Sequence, residues 1–200
     1  MVNQRTRKIV FAAFYLALAI ALNYLNTVMP IIQMPNGGSL ELMVIPLFMA
    51  SYHMGCKWGA SISFLAWLLG MMFGMNNYMV GPLQVIFDYI APFVAVGLAS
   101  LFPAIHLGKI KISNVYVGVV GGMLLKYISQ VISGVYFWPG VGAAGSLPAF
   151  LFSINYNAGY NLITLAAALI ITPVLVSRLR KVKPKEFVGC LLYTSDAADD

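Results

Sequence analysis

Three charged residues lie inside long apolar stretches of the chain: Glu41, Asp88 and Lys126. A charge at the centre of a bilayer costs about 2.5–3.5 kcal/mol on insertion scales, so such residues usually have a function or pair with one another. Asp88 is the best candidate for binding, because a carboxylate would hold a cation or an amidine-like edge. Glu41 and Lys126 are equally consistent with a ligand site and with a structural ion pair.

Polar side chains accompany these charges at helical spacing. Gln84 precedes Asp88 by four residues and Gln130 follows Lys126 by four, so each pair shares a helix face. Trp138 follows the second pair and offers a stacking surface for a flat ring, with cation–π attraction if the ring is charged. The alternatives are interhelical hydrogen bonding for the polar residues and an interfacial aromatic belt for Trp138.

Neutral amides and aromatic residues gather in the same part of the predicted topology. A carboxylate among such residues suits a pocket for a small aromatic cation, although solvated loops would explain some of them. They are Asn76, Asn77, Tyr78, Asn155, Tyr156, Asn157, Tyr160 and Asn161. The sequence shows no metal cluster, nucleophile motif or acid/base pair with catalytic spacing, so we expect no catalytic residue, no bound metal and no enzyme activity.

The composition places these residues in a membrane protein. The 200 residues are 60% hydrophobic and 9% charged, whereas a soluble domain normally carries about 25% charged residues. Six apolar segments, at about 9–25, 40–52, 58–73, 82–101, 115–136 and 161–176, predict an all-α, polytopic bundle of six transmembrane helices. The second segment is the weakest of the six. Continuous apolar runs argue against a transmembrane β-barrel.

The distribution of basic residues predicts the orientation. Eleven of the twelve Lys and Arg residues fall on one side of a six-span topology, and the twelfth is Lys126. The eleven are Arg5, Arg7, Lys8, Lys57, Lys109, Lys111, Arg178, Arg180, Lys181, Lys183 and Lys185. Basic loops stay inside, so we expect a multi-pass protein of the cell membrane with cytoplasmic N- and C-termini. The charge indicates topology and anionic lipids rather than nucleic acid.

Residues 1–189 are interpreted as one transmembrane domain. The segment 190–200 breaks sharply from the preceding composition, resembles a translated sequencing adapter and is interpreted as a non-native tail. The chain has no P-loop sequence and no clear internal repeat. Energy for uphill transport would therefore come from a partner or an ion.

Several motifs, in their order and spacing, resemble the thiamine-specific substrate-binding subunit of energy-coupling factor (ECF) transporters, the ThiT/YuaJ family. The resemblance spans about residues 5–185. It rests on Gly37-Gly38-Ser39-Leu40, Ile45-Pro46, Gln84-x-x-x-Asp88-Tyr89, Leu125-Lys126-Tyr127, the run from Ile132 to Trp138, and Ser153 to Asn157.

The resemblance implies a function and a set of site residues. The family captures thiamine near the outer face and docks on a transmembrane coupling subunit that carries two ATPases, so ATP would be hydrolysed by separate chains and this chain would need no cofactor. Asp88 and Trp138 match family positions that contact and stack on thiamine, and Ala13 and Ala17 match the alanine pair that docks on the coupling subunit. Further pocket positions are Tyr78, Gln84, Tyr89 and Asn157, with Gln130, Lys126 and Glu41 as additional candidates.

Other readings stay open. Gln130 stands where some members have His, and Phe152 where some have Tyr, so thiamine, its phosphates and its pyrimidine fragments all remain candidate ligands. The same type of subunit could serve a different vitamin. An ion-coupled secondary transporter, with a proton carried on Asp88 or Glu41, is the third alternative.

Overall fold

The computed structural model describes residues 4–35, 37–75 and 78–182, which are predominantly helical. The helices are α1 (Gln4–Val28), α2 (Val44–Met54), α3 (Cys56–Met72), α4 (Pro82–Gly97), α5 (Asn114–Phe137) and α6 (Leu147–Val182). A 3-10 turn at Ala99–Leu101 follows α4. Two strands, β1 (Ile105–Leu107) and β2 (Ile110–Ile112), pair antiparallel before α5, which is a small departure from the predicted all-α class.

Three of the helices are long and apolar enough to cross a bilayer. They are α1, α5 and α6, with 25, 24 and 36 residues, against the roughly 20 residues that a span requires. The other three apolar helices, α2, α3 and α4, are shorter. The predicted non-native tail, 190–200, lies outside the described residues.

Helix α2 forms the centre of the bundle. All eleven of its residues are buried, and the core around it includes Tyr15 of α1, Ile62 of α3, Val96 of α4 and Val119 of α5. Gly55 alone separates α2 from α3 and has a φ of 91°, a conformation that glycine adopts without steric cost. Helices α2 and α3 therefore form a tight hairpin with a one-residue connection.

Close contact between glycines brings α3 against α4. A Cβ added to Gly97 would lie 2.5 Å from the backbone oxygen of Gly59, closer than a real Cβ atom can approach. Because lipid chains are as apolar as leucine side chains, helices in a bilayer associate through such close packing and through hydrogen bonds.

The last helix differs from the expected sixth segment. The segment 161–176 is part of a helix that begins at Leu147 and ends at Val182. Asn155, Asn157 and Asn161 lie inside this helix and donate side-chain hydrogen bonds to the backbone oxygens four residues earlier, at 2.8–2.9 Å. Polar residues that solvated loops would also explain therefore lie within a helix.

Helix α4 is irregular at its centre. It begins at Pro82, whose missing N–H is not needed in a first turn, and then widens into a π-helical turn over Ile86–Ile90. Asp88 is the middle residue of that turn. Wide turns of this kind often occur at functional sites.

Candidate functional site

The carboxylate of Asp88 is held by two donors from different parts of the fold. Gln84 Nε2 donates to Asp88 Oδ2 at 2.7 Å, and the indole N–H of Trp138 donates to the same oxygen at 3.1 Å. Gln84 is fully buried, whereas Trp138 is 39% exposed. The indole is thereby anchored at its polar edge while part of its ring remains accessible.

Gln84 also organises the segment before α4. Its side-chain oxygen accepts from the backbone N–H of Val80 at 3.3 Å, and its amide nitrogen donates to the backbone oxygen of Tyr78 at 3.2 Å. The hydroxyl of Tyr89 donates to the same Tyr78 oxygen at 3.0 Å. Tyr78 contributes this oxygen while its own side chain is 79% exposed.

The π-helical turn is secured by the neighbouring helix. The hydroxyl of Ser129 on α5 donates to the backbone oxygen of Phe87 at 2.6 Å. A wide turn disturbs the regular helical hydrogen-bond ladder, and a side-chain donor can satisfy a carbonyl that the ladder leaves free. Ser129 therefore helps to define the direction in which Asp88 points.

A second group of polar residues surrounds the ammonium of Lys126, a residue that is completely buried. Its Nζ lies 2.8 Å from Glu41 Oε2, 3.1 Å from Gln130 Oε1 and 3.0 Å from Asn161 Oδ1. Asn161 in turn donates to Gln130 Oε1 at 2.9 Å. A buried charge is tolerated when it is paired and hydrogen-bonded, and Lys126 has one ion pair and two hydrogen bonds.

Aromatic residues of α6 extend this group. The ring centroid of Tyr160 lies 5.2 Å from Lys126 Nζ, and its hydroxyl donates to Asn157 Oδ1 at 2.6 Å. Tyr156 follows and stacks on Phe152, with centroids 6.0 Å apart. This line of rings leads away from the buried charge.

The segment between α1 and α2 packs directly on these rings. Gly37 and Gly38 have φ values of 99° and 79°, and a Cβ on either would collide with Tyr156 or Tyr160 respectively. The backbone N–H of Glu41 donates to Thr164 Oγ1 of α6 at 3.1 Å. The glycine pair is therefore required both by its backbone conformation and by its closeness to the aromatic residues.

We call the two groups together the polar site; its members are Glu41, Gln84, Asp88, Lys126, Gln130, Trp138, Asn157, Tyr160 and Asn161. The two groups are adjacent, because Ser129 of α5 bonds the backbone oxygen of Phe87 beside Asp88 while its neighbour Gln130 bonds Lys126. The Glu41 and Lys126 charges offset each other, and Asp88 has no cation in direct contact among the described residues. A cationic ligand would thus meet a net negative site.

The predicted site residues divide into those in the polar site and those outside it. Tyr89 supports its edge through the Tyr78 backbone, and the Tyr78 side chain points away into the surroundings. Ala13 and Ala17 lie on α1, where both are exposed. They take no part in the polar site.

Tyr160 and Asn161 are more central than the sequence suggested. The sequence groups them with the neutral polar residues of one side and indicates no specific role for either. Asn157, Asn161 and Thr164 follow one another at spacings of four and three residues, which is one face of a helix. That spacing is a usable signal once α6 is known to begin before residue 161.

A separate groove of about 440 Å³ lies between α5 and the start of α6. Its lining is mainly apolar and includes Val131, Val135 and Phe150. None of the charged residues of the polar site lines it, so its chemistry does not suit a charged ligand.

Comparison with known proteins identifies the family of the chain. A family model described as thiamine transporter protein (Thia_YuaJ) matches residues 9–184. The chain belongs to this family. The Thia_YuaJ family comprises transporters rather than enzymes, which confirms the expected lack of an enzyme function.

A relative and a solved structure extend the match. The chain is 35% identical over 136 residues to the thiamine transporter ThiT of Bacillus subtilis, covering 64% of this chain and 70% of that protein. The structure of ThiT from Listeria monocytogenes has a TM-score of 0.67 at 22% identity, covering 92% of this chain and 99% of that one. This second comparison supports the Thia_YuaJ fold alone.

Proposed function

We propose that this protein is the thiamine-binding subunit of an ECF-type vitamin transporter, which captures thiamine in the polar site from the outside of the cell. Membership of the thiamine transporter family supports the substrate. The observation that carries the assignment to particular residues is the anchored carboxylate of Asp88, which is held by Gln84 and Trp138.

The chemistry of thiamine matches the polar site. Its thiazolium ring is a cation, and its aminopyrimidine ring offers an N–H donor to a carboxylate. Asp88 supplies the negative charge, because Glu41 is already paired with Lys126 at 2.8 Å. Trp138 and Tyr160 provide aromatic faces, which attract cationic rings.

We further propose six membrane spans with both termini in the cytoplasm. The six apolar helices match the predicted segments in order, and three of them are long enough to span without assistance. Apart from Lys126, the basic residues in the described part of the chain lie at the start of α1, at Lys57 in the first turn of α3, in the β1–β2 hairpin and in the last turns of α6. In an alternating topology these four places share one side, opposite the polar site.

Transport would depend on partners. We propose that Ala13 and Ala17 form the surface that docks on the transmembrane coupling subunit, and that two separate ATPase subunits hydrolyse ATP. In α1, three of 25 residues are buried within the chain, so most of the helix is available to lipid or to another helix. Small residues four apart allow close helix contact.

The proposal is tested by titrating the purified protein with thiamine in detergent, with calorimetry and tryptophan fluorescence in parallel. We expect saturable binding in the nanomolar to low micromolar range, and Asp88→Asn should weaken it by about 10- to 150-fold, the equivalent of a hydrogen bond to a charged group. Trp138→Phe should remove most of the fluorescence change, whereas Trp58→Phe, in the first turn of α3, should retain it.

Two results would overturn the proposal. A flat thiamine titration of folded protein, together with binding of another vitamin, would reject the ligand. Uptake of thiamine into vesicles that contain this chain without any ATPase, if abolished by an uncoupler, would reject the ECF mechanism in favour of an ion-coupled transporter.

A further inference from the structure

The two ends of the Gln130 side-chain amide have different surroundings. Its oxygen accepts hydrogen bonds from Lys126 Nζ at 3.1 Å and from Asn161 Nδ2 at 2.9 Å. Its nitrogen has no hydrogen-bond partner among the described residues, in a residue that is 8% exposed. The amide therefore has one engaged end and one end available to a ligand.

The orientation of the Gln130 amide is defined by neighbouring groups that can only donate, or only accept, a hydrogen bond. An ammonium group only donates, so the Gln130 atom beside Lys126 must be the oxygen. The orientation of Asn161 is defined in the same way, because its nitrogen faces the backbone oxygen of Asn157 at 2.9 Å, which only accepts. Asn161 Oδ1 is then the atom that faces Lys126, at 3.0 Å.

The Lys126 ammonium is held by three neighbours. It donates hydrogen bonds to Asn161 Oδ1 at 3.0 Å and Gln130 Oε1 at 3.1 Å, and it is ion-paired with Glu41 Oε2 at 2.8 Å. Of these three neighbours, Gln130 also has an amide nitrogen without a partner among the described residues, so it can connect the buried charge to a ligand.

Gln130 lies on the part of α5 that contacts the π-helical turn of α4. Ser129, which precedes Gln130, donates a hydrogen bond to the backbone oxygen of Phe87, next to Asp88. Gln130 follows directly, and its oxygen is bonded to Lys126 one turn away. The Gln130 donor and the Asp88 acceptor therefore belong to neighbouring helices at the same contact.

We propose that Lys126 and Asn161 are positioning residues that hold Gln130 with its amide nitrogen directed into the site, so that the Gln130 donor and the Asp88 acceptor together select an aromatic ring with an acceptor nitrogen beside a donor amine. This inference rests on the proposed function and deepens it. The aminopyrimidine ring of thiamine has such an edge. In oxythiamine an oxo group replaces the amine and the adjacent nitrogen carries a proton, so the edge is reversed.

Gln130→Glu provides the test. The inner carboxylate oxygen still accepts from Lys126 and Asn161, while the outer N–H donor becomes an acceptor. We expect the ratio of thiamine to oxythiamine affinity, measured by calorimetry, to fall by about tenfold or more, as expected for the loss of one hydrogen bond near a charge. Both compounds carry the thiazolium, so the added charge affects them alike and largely cancels in the ratio.

Asn161→Leu tests the positioning role. With one anchor removed the Gln130 amide can rotate, so the same affinity ratio should fall by several-fold in protein that still unfolds cooperatively. Ser177→Leu, an exposed residue at the other end of α6, is the matched control and should leave the ratio unchanged. A purely structural role for Asn161 would lower the unfolding temperature and leave the ratio of the folded fraction as in the wild type.

The outcomes separate this inference from the proposed function. Tight thiamine binding with an unchanged ratio in Gln130→Glu would overturn the inference and leave the function standing. A wild-type protein that binds neither compound would overturn both. If Asn161→Leu does not fold, Gln130→Glu decides alone, because it keeps the inner hydrogen bonds.

Discussion

Helix α2 and the π-helical turn of α4 use polar groups in opposite ways. In α2 every residue is buried, and its polar side chains are bonded within the bundle: Ser51 to Ser100 at 3.0 Å, and His53 to the hydroxyl of Tyr15 at 2.8 Å. In the π-helical turn none of the five residues is fully buried, and Asp88 is bonded from one side by Gln84 and Trp138.

The polar groups of α2 are thus suited to stabilising the fold, and Asp88 in the π-helical turn is suited to binding a ligand. A polar group bonded on all sides contributes to packing and has nothing left for a ligand, whereas one anchored on a single side presents its other lone pairs in a fixed direction. Helices in lipid are held together by close packing and hydrogen bonds. We therefore expect changes around α2 to reduce folding, and changes around the turn to reduce binding.

The largest loss of folded protein is expected for Gly97→Leu, which disrupts the packing of α3 against α4 beside α2. A side chain at this position would meet the backbone of Gly59 at 2.5 Å and would force α3 and α4 apart. We expect little folded protein in a thermal unfolding assay in detergent. Gly81→Leu is the matched control, because a Cβ at Gly81 meets no atom within 4 Å; equal loss of folded protein in both variants would contradict the comparison.

Lys126→Met should cause the next largest loss of stability, because Lys126 is completely buried and also belongs to the polar site. It would leave the Glu41 carboxylate without its partner. Breaking a fully buried pair typically costs about 3–5 kcal/mol, and we expect a smaller cost here because the Glu41 side chain is 24% exposed. The double variant Lys126→Met with Glu41→Gln removes both charges and should recover most of the unfolding temperature. A double variant no more stable than the single one would show that the ion pair is not the origin of the loss.

Ser129→Ala should have the smallest effect and should act on binding. Loss of the 2.6 Å hydrogen bond to Phe87 removes about 0.5–1.5 kcal/mol and loosens the turn that carries Asp88, so thiamine affinity should fall by about 2- to 10-fold. Ser61→Ala, which removes an exposed hydroxyl bonded within α3, should not change it. A large stability loss with unchanged affinity in Ser129→Ala would place this residue with the core instead.

Much of the architecture is determined by the sequence itself. The apolar runs, broken by Gly55 and Pro82, predict the separate helices because unbonded backbone cannot face lipid. Asp88 and Lys126 are recognisable as special because charge inside such a run is costly. The spacing of four residues from Gln84 to Asp88 and from Lys126 to Gln130 predicts the shared faces that the structure shows as hydrogen bonds.

The tertiary structure alone decided the rest. Neither the π-helical turn at Asp88 nor the Ser129 hydroxyl that secures it could be predicted, since a wide turn has no sequence period of its own. The early start of α6 was missed because asparagines that bond their own helix look like a loop when counted as polar residues. Glu41 remained ambiguous between ligand and ion pair until the distance to Lys126, 85 positions away in sequence, was known. Such contacts depend on how helices pack, and local spacing carries no information about that.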